Sequence, residues 1–160
     1  MRIAEHVDVA ASRALVWEQI SEPARVLDFF AGVTRWEVEG EQRTGEGARY
    51  RMLMRVGSAE VGGLIEIVEF QPERDLAWTS VTGVDQRGRW RLREGRDGGT
   101  RLELRLQFGV AGGGIWSWLA EQLAGPIVRG NVRRTLAQAK RAIEHERARS
   151  EAARRRSSRR

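Results

Sequence analysis

The sequence predicts an α+β fold: a seven-stranded, curved antiparallel sheet around one long C-terminal helix, with two short helices between the first and second strands. Three observations carry this. Residues 34–110 hold six runs rich in alternating apolar residues, separated by Gly, Pro and Asp turn signals. A short strand and two short helical segments precede them. After them, apolar residues recur at helical spacing from Ile115 to about His145, a span of roughly 45 Å at about 1.5 Å per residue.

The elements follow in order. Ile3, Val7 and Val9 mark strand one, with Glu5 on the same apolar side. Ser12 is placed to cap a short helix carrying Val16, Trp17 and Ile20. Pro23 opens a second short helix with Val26, Leu27, Phe29 and Phe30, closed by Gly32. Strand two, about 34–41, carries Trp36 and Val38. Strand three, about 48–56, sets Tyr50, Met52, Met54 and Val56 against Arg49, Arg51 and Arg55. A one-residue slip would bury three arginines without partners, so the register is well specified. Strand four, about 60–70, is apolar on both faces, and its inner face stays unassigned. Strand five places Leu76, Trp78, Ser80 and Thr82 on one side; strand six sets Trp90 and Leu92 against Arg89, Arg91 and Arg93. Asp97-Gly98-Gly99 is a hairpin signal. Strand seven alternates Leu102, Leu104, Leu106, Phe108 and Val110 inward with Arg101, Glu103, Arg105 and Gln107 outward.

The final helix has two apolar stripes. Ile115, Leu119, Leu123 and Ile127 form one; Val128, Val132, Leu136, Ala139 and Ile143 form the other. Gly125-Pro126 stands between them, where a kink or break is expected. Only this helix is long enough to cover the apolar face of the sheet. One helix cannot fill the whole inside of a curved sheet, so a cavity is expected between them.

Composition narrows the function classes. At 160 residues the chain is one domain, expected over residues 1–146. Seven arginines and one glutamate in 147–160 account for the whole net charge of +6, and this segment is expected to be a disordered arginine-rich tail. The absence of cysteine excludes disulfides, thiolate metal sites and a cysteine nucleophile. With no signal-like or membrane-length apolar run, a cytoplasmic protein is expected.

Several local patterns resemble one family. They are Val16-Trp17, the segment from Glu22-Pro23 to Phe29-Phe30-Ala31-Gly32-Val33, Glu69-Phe70-Gln71-Pro72 leading to Leu76-Ala77-Trp78, and Leu123-Ala124-Gly125-Pro126 before an arginine-rich helix containing Leu136. Together with the order of elements, they resemble the START-related SRPBCC superfamily, birch-pollen-allergen-like, in its bacterial polyketide cyclase/dehydrase-like branch. The resemblance covers about residues 1–146 and implies a helix-grip fold. It also implies a lipid, polyketide or similar apolar ligand held between sheet and helix. Its motifs are structural, and none is catalytic.

The candidate ligand-binding residues are Trp36, Tyr50, Met52, Met54, Trp78, Ser80, Trp90, Leu104, Leu106 and Phe108. The aromatics suit the wall of a pocket for a flat ligand, or a plain core. Methionines adapt to varied shapes, and Ser80 and Thr82 offer polar contacts. Glu5 and Asn131 are candidate polar groups near the cavity. No catalytic residue is assigned: neither a nucleophile elbow, a phosphate loop nor a dinucleotide fingerprint is present. His6 and His145 are far apart in the pattern and have no carboxylate pair at ligand spacing, so neither metal nor cofactor is expected. Gly112-Gly113-Gly114 reads as a linker or gate, with Trp116 and Trp118 beside it. The leading expectation is a binder or carrier of an apolar small molecule. One alternative is a cyclase/dehydrase-type enzyme in the same cavity. Another is an interaction module whose basic tail meets nucleic acid or an anionic membrane.

Overall fold

The computed structural model describes residues 1–109 and 115–159, and of residues 115–124 the backbone alone. The strands are β1 (Arg2–Val9), β2 (Val33–Glu39), β3 (Arg49–Val56), β4 (Ala59–Gln71), β5 (Asp75–Ser80), β6 (Gln86–Glu94) and β7 (Thr100–Phe108). The helices are α1 (Arg13–Ser21), α2 (Val26–Phe29) and α3 (Ile115–Ser157). The strands form one antiparallel sheet in the order β1-β7-β6-β5-β4-β3-β2. The chain is therefore an α+β helix-grip fold with seven strands.

Local chemistry accounts for most boundaries. Ser12 caps α1, its side chain accepting from the Leu15 N–H. Pro23 starts a single 3-10 turn, Pro23–Arg25, which runs directly into α2. The second expected helix is thus one 3-10 turn plus one α turn, and Leu27 on it is 51 % exposed rather than buried. Gly32 has φ +85, and a Cβ there would lie 2.5 Å from Asn131 Nδ2. Glycine is required by this left-handed φ, and the Asn131 side chain of α3 lies directly over the turn.

The expected registers hold. Met52 lies opposite Trp36, Tyr50 opposite Val38, and Trp90 opposite Leu104. Tyr50, Met52 and Met54 are buried, while Arg49, Arg51 and Arg55 face outward into ion pairs with Glu66, Glu39 and Glu60. Strand four is resolved by a bulge between Ile67 and Glu69. Ile65 and Ile67 face inward before it, Phe70 after it, and Val68 is turned outward at 46 % exposure. An extra residue reverses the alternation midway, which is why neither face could be read from the sequence. Val110, expected to end strand seven, and the triple glycine lie outside the described residues.

Helix α3 lies mainly along β1. Val128, Val132, Leu136, Ala139 and Ile143 are buried, as their spacing predicts. Ile127 was expected on the first stripe but is 41 % exposed. Pro126 lies inside the helix. The larger departure is at the C-terminal end. The arginine-rich segment, expected to be disordered, is helical through Ser157. It continues an already formed helix, so no new nucleus is needed. Arg147 pairs with Glu151 one turn on, and arginines in the last turn suit the helix dipole.

Candidate functional site

The inner face of the sheet carries a cluster of aromatic rings where α1 and α2 close over it. Trp36 stacks on Tyr50 with ring centroids 4.9 Å apart at 22°. Phe30 reaches from α2 to Trp78 and Trp90 in edge contacts with centroids at 6.2 and 5.9 Å. Trp17 meets Phe70 edge-on at 5.0 Å. Six of these rings, those of Phe30, Trp36, Tyr50, Phe70, Trp78 and Trp90, line one partly enclosed cavity of about 20 Å³. That is room for about one water. Ile20, Pro23 and Val26 complete its roof.

Trp78 can lie flat because Gly88 faces it across β5 and β6. A Cβ at Gly88 would fall 1.9 Å from Trp78 Cζ2 and 2.1 Å from Cε2. The absent side chain is therefore the slot for the indole. Among the described residues, the buried indole N–H groups of Trp36 and Trp78 have no acceptor, and the buried Gln86 Oε1 has no donor. The Gln86 Nε2 donates to Met52 Sδ at 3.6 Å. Three buried polar atoms without a partner among the described residues are unusual, since buried polar groups are nearly always satisfied.

Among the described residues, the one titratable side chain lining this cavity is Tyr50. Its hydroxyl donates to the Arg43 carbonyl at 2.5 Å. Burial and the nearby Glu22 carboxylate push its pKa up to about 12, against a smaller opposing pull from Arg43. It is a protonated donor across the physiological range.

Four of the expected site residues, Trp36, Tyr50, Trp78 and Trp90, are thus brought together. Met52, Met54, Leu104 and Leu106 are buried on the same face but do not line the cavity. Phe108 is half-buried at the end of β7. The Ser80 Oγ accepts from the Gln86 N–H and the Thr82 Oγ1 from the Leu64 N–H, so both hold the β5–β6 turn. Glu5 does lie on the apolar side, but it pairs with Arg133 of α3 at 3.2 Å at the edge of the fold. Asn131 is buried and accepts from Arg134 at 2.5 Å, beneath Gly32. Neither lines the cavity. Trp116 and Trp118 have side chains outside the described residues.

Sequence reasoning missed the roof residues Ile20, Pro23, Val26 and Phe30, and it missed Gln86. The signal for Gln86 was present: it shares the inward register with Gly88, Trp90 and Leu92. Among the described residues, no group of three His, Cys, Asp or Glu is placed to hold a metal, and no helix is long and apolar enough to cross a membrane.

A sequence model described as polyketide cyclase / dehydrase and lipid transport matches residues 1–144. The chain belongs to that family. Its fold is that of the SRPBCC superfamily. TTHA0849 from Thermus thermophilus is similar in structure with a TM-score of 0.77 at 19 % identity, over 89 % of this chain and 97 % of that one. The Zhui aromatase/cyclase from Streptomyces sp. R1128 is similar with a TM-score of 0.75 at 22 % identity, over 90 % and 93 %. Ara h 8.0201 follows with a TM-score of 0.62 at 10 % identity, over 89 % and 97 %. At these identities the likeness concerns the fold. A search among curated proteins finds no match. For this family member, the cavity under α1 and α2 is the candidate site.

Proposed function

We propose that this family member binds a neutral, oxygen-bearing apolar small molecule on the inner face of its sheet. One observation carries the reading: six aromatic rings converge on one cavity, and two of its wall residues, Trp36 and Trp78, have buried indole N–H groups with no acceptor among the described residues. Rings recognise a flat apolar body, and two lone donors suit a carbonyl or hydroxyl oxygen. Among the described residues no charged side chain lines the cavity, so a carboxylate or phosphate would find no counter-ion there. At about 20 Å³ the cavity admits a ligand only if the α1–α2 roof, or the aromatic side chains, move outward. The candidate wall extends along the same face through Met52, Met54, Ser80, Leu104, Leu106 and Phe108 toward α3.

The cyclase/dehydrase reading rests on the family and on the aromatase/cyclase among the similar folds. It would need a group that moves protons. Tyr50 is the residue of that kind at the cavity, and its proton is already committed to the Arg43 carbonyl. Binding without turnover is therefore the preferred reading.

The test is native mass spectrometry of protein purified from its host, followed by solvent extraction. A co-purified apolar species carrying oxygen is expected, and Trp36→Phe with Trp78→Phe should reduce its retention at least tenfold. If no adduct appears, and hydroxylated and quinoid polycycles leave tryptophan emission unchanged, the reading fails.

A further inference from the structure

The outer face of the sheet carries a second feature, unrelated to the inner cavity. Eleven arginines sit on the strands of the sheet, and nine of them face carboxylates. The exceptions are Arg2 and Arg87, which have no partner among the described residues. They stand on the same row of the sheet: Gln107 is opposite Arg2 on one side and opposite Arg87 on the other. Thr79 continues the row beyond Arg87. Neighbouring strands are about 4.8 Å apart, so the two unpaired arginines start about 10 Å apart with an amide between them.

This row borders an open groove of about 710 Å³. Four arginines line it, Arg2, Arg87, Arg89 and Arg105, and among the described residues no carboxylate does. Its floor is short and apolar, with Ala4 and Ala77 where the rest of this face bears long charged side chains. The β4 bulge turns Val68 outward into its wall. Arg89 and Arg105 are neutralised by Glu69 and Glu103, which lie outside the groove.

We propose that this groove binds a phosphate monoester carried on a small apolar body. The two guanidinium forks, unpaired among the described residues, with the Gln107 amide and the Thr79 hydroxyl beside them, offer donors for several oxygens of one anion. The floor of Ala4, Ala77 and Val68 takes the apolar part. The volume lies within the range of small-molecule sites, about 300–1,000 Å³. A fully paired sheet face would need none of this; the departure from pairing falls where the face is hollowed into a groove.

The experiment is an amide NMR titration of the full-length chain with 2-naphthyl phosphate, inorganic phosphate and 2-naphthol. Shifts should map to Arg2, Thr79, Arg87 and Gln107, with 2-naphthyl phosphate at least tenfold tighter than either fragment. Arg2→Gln with Arg87→Gln should weaken it at least tenfold, and both positions are exposed enough to tolerate the change. Equal affinity for inorganic phosphate would overturn the proposal. So would shifts confined to the arginine-rich end of α3 or to Trp36 and Tyr50; these outcomes assign the probe to the helix end or the inner cavity. The wild-type map decides the matter even if the double variant does not fold.

Discussion

Gly88 is the residue whose replacement most directly tests the packing of the inner face. Gly88→Ala would place a methyl group 1.9 Å from a rigid indole carbon, so the ring or β6 must shift. Overpacking of this kind costs about 1–3 kcal/mol. A urea midpoint lowered accordingly, with altered tryptophan emission, is expected. An unchanged midpoint would mean that Trp78 is not held over β6. Tyr50 is the sole tyrosine, so its ionisation can be read directly by ultraviolet absorbance. The native phenol should titrate near 12, against about 10 when unfolded. The sign follows from linkage: the contribution is fully present below pH 10 and is lost as the pH rises toward 12, because the unfolded chain releases this proton first. A native transition near 10 would show that the hydroxyl is solvated and not bonded to Arg43.

At the scale of elements, α3 is latched to the β1–α1 corner by a small polar cluster. The Ala10 N–H donates to Glu144 Oε1 at 2.9 Å, and Lys140 Nζ reaches both Glu144 at 2.6 Å and the Asp8 carbonyl at 2.6 Å. Arg147 donates to the Ala10 carbonyl at 2.5 Å. Burial alone would raise the Glu144 pKa, but hydrogen bonds from Lys140 and Ala10 outweigh it and hold the carboxyl below its ordinary value. A lowered acid contributes stability above its unfolded pKa and loses it as the pH falls through the folded one. Glu144→Gln should therefore cost about 1 kcal/mol at neutral pH. The difference from the parent should vanish in acid, below the usual carboxylate range. A difference independent of pH would show that packing, not charge, sets the role of Glu144.

At the scale of the whole molecule, the C-terminal end divides into a docked part and a projecting part. The last buried residue is Ile143, and Arg147 still bonds to the corner. Beyond it, residues 149–159 are exposed. Deleting 152–160 should leave the melting temperature unchanged while lowering the helical circular-dichroism signal. Deleting 147–160 also removes the Arg147 contact and should lower it by about 2–4 °C, for a loss of about 1 kcal/mol. Equal melting temperatures for both truncations would mean that Arg147 contributes nothing to docking. A loss of stability in the shorter deletion would mean that the projecting helix docks as well.

Much of the fold was legible in the sequence, because its elements are specified locally. Alternation from Tyr50 to Met54 and from Leu102 to Phe108 sets which side of a strand faces inward, since the wrong register would bury arginines. The spacing of Val128, Val132, Leu136 and Ile143 sets the buried face of α3, and Ser12 sets the start of α1. What the sequence could not specify are relations between residues distant in the chain. The inner face of β4 depends on a bulge, a mismatch with β5 that has no signature within β4 itself. The roof from Ile20 to Phe30 meets Trp78 and Trp90 only because α1 and α2 fold onto the sheet. That the Trp36 and Trp78 indoles, the Gln86 Oε1, Arg2 and Arg87 lack partners among the described residues is visible only by comparison with every neighbour around them. Periodicity decides which face a side chain takes, whereas the partner it finds there is decided by tertiary packing.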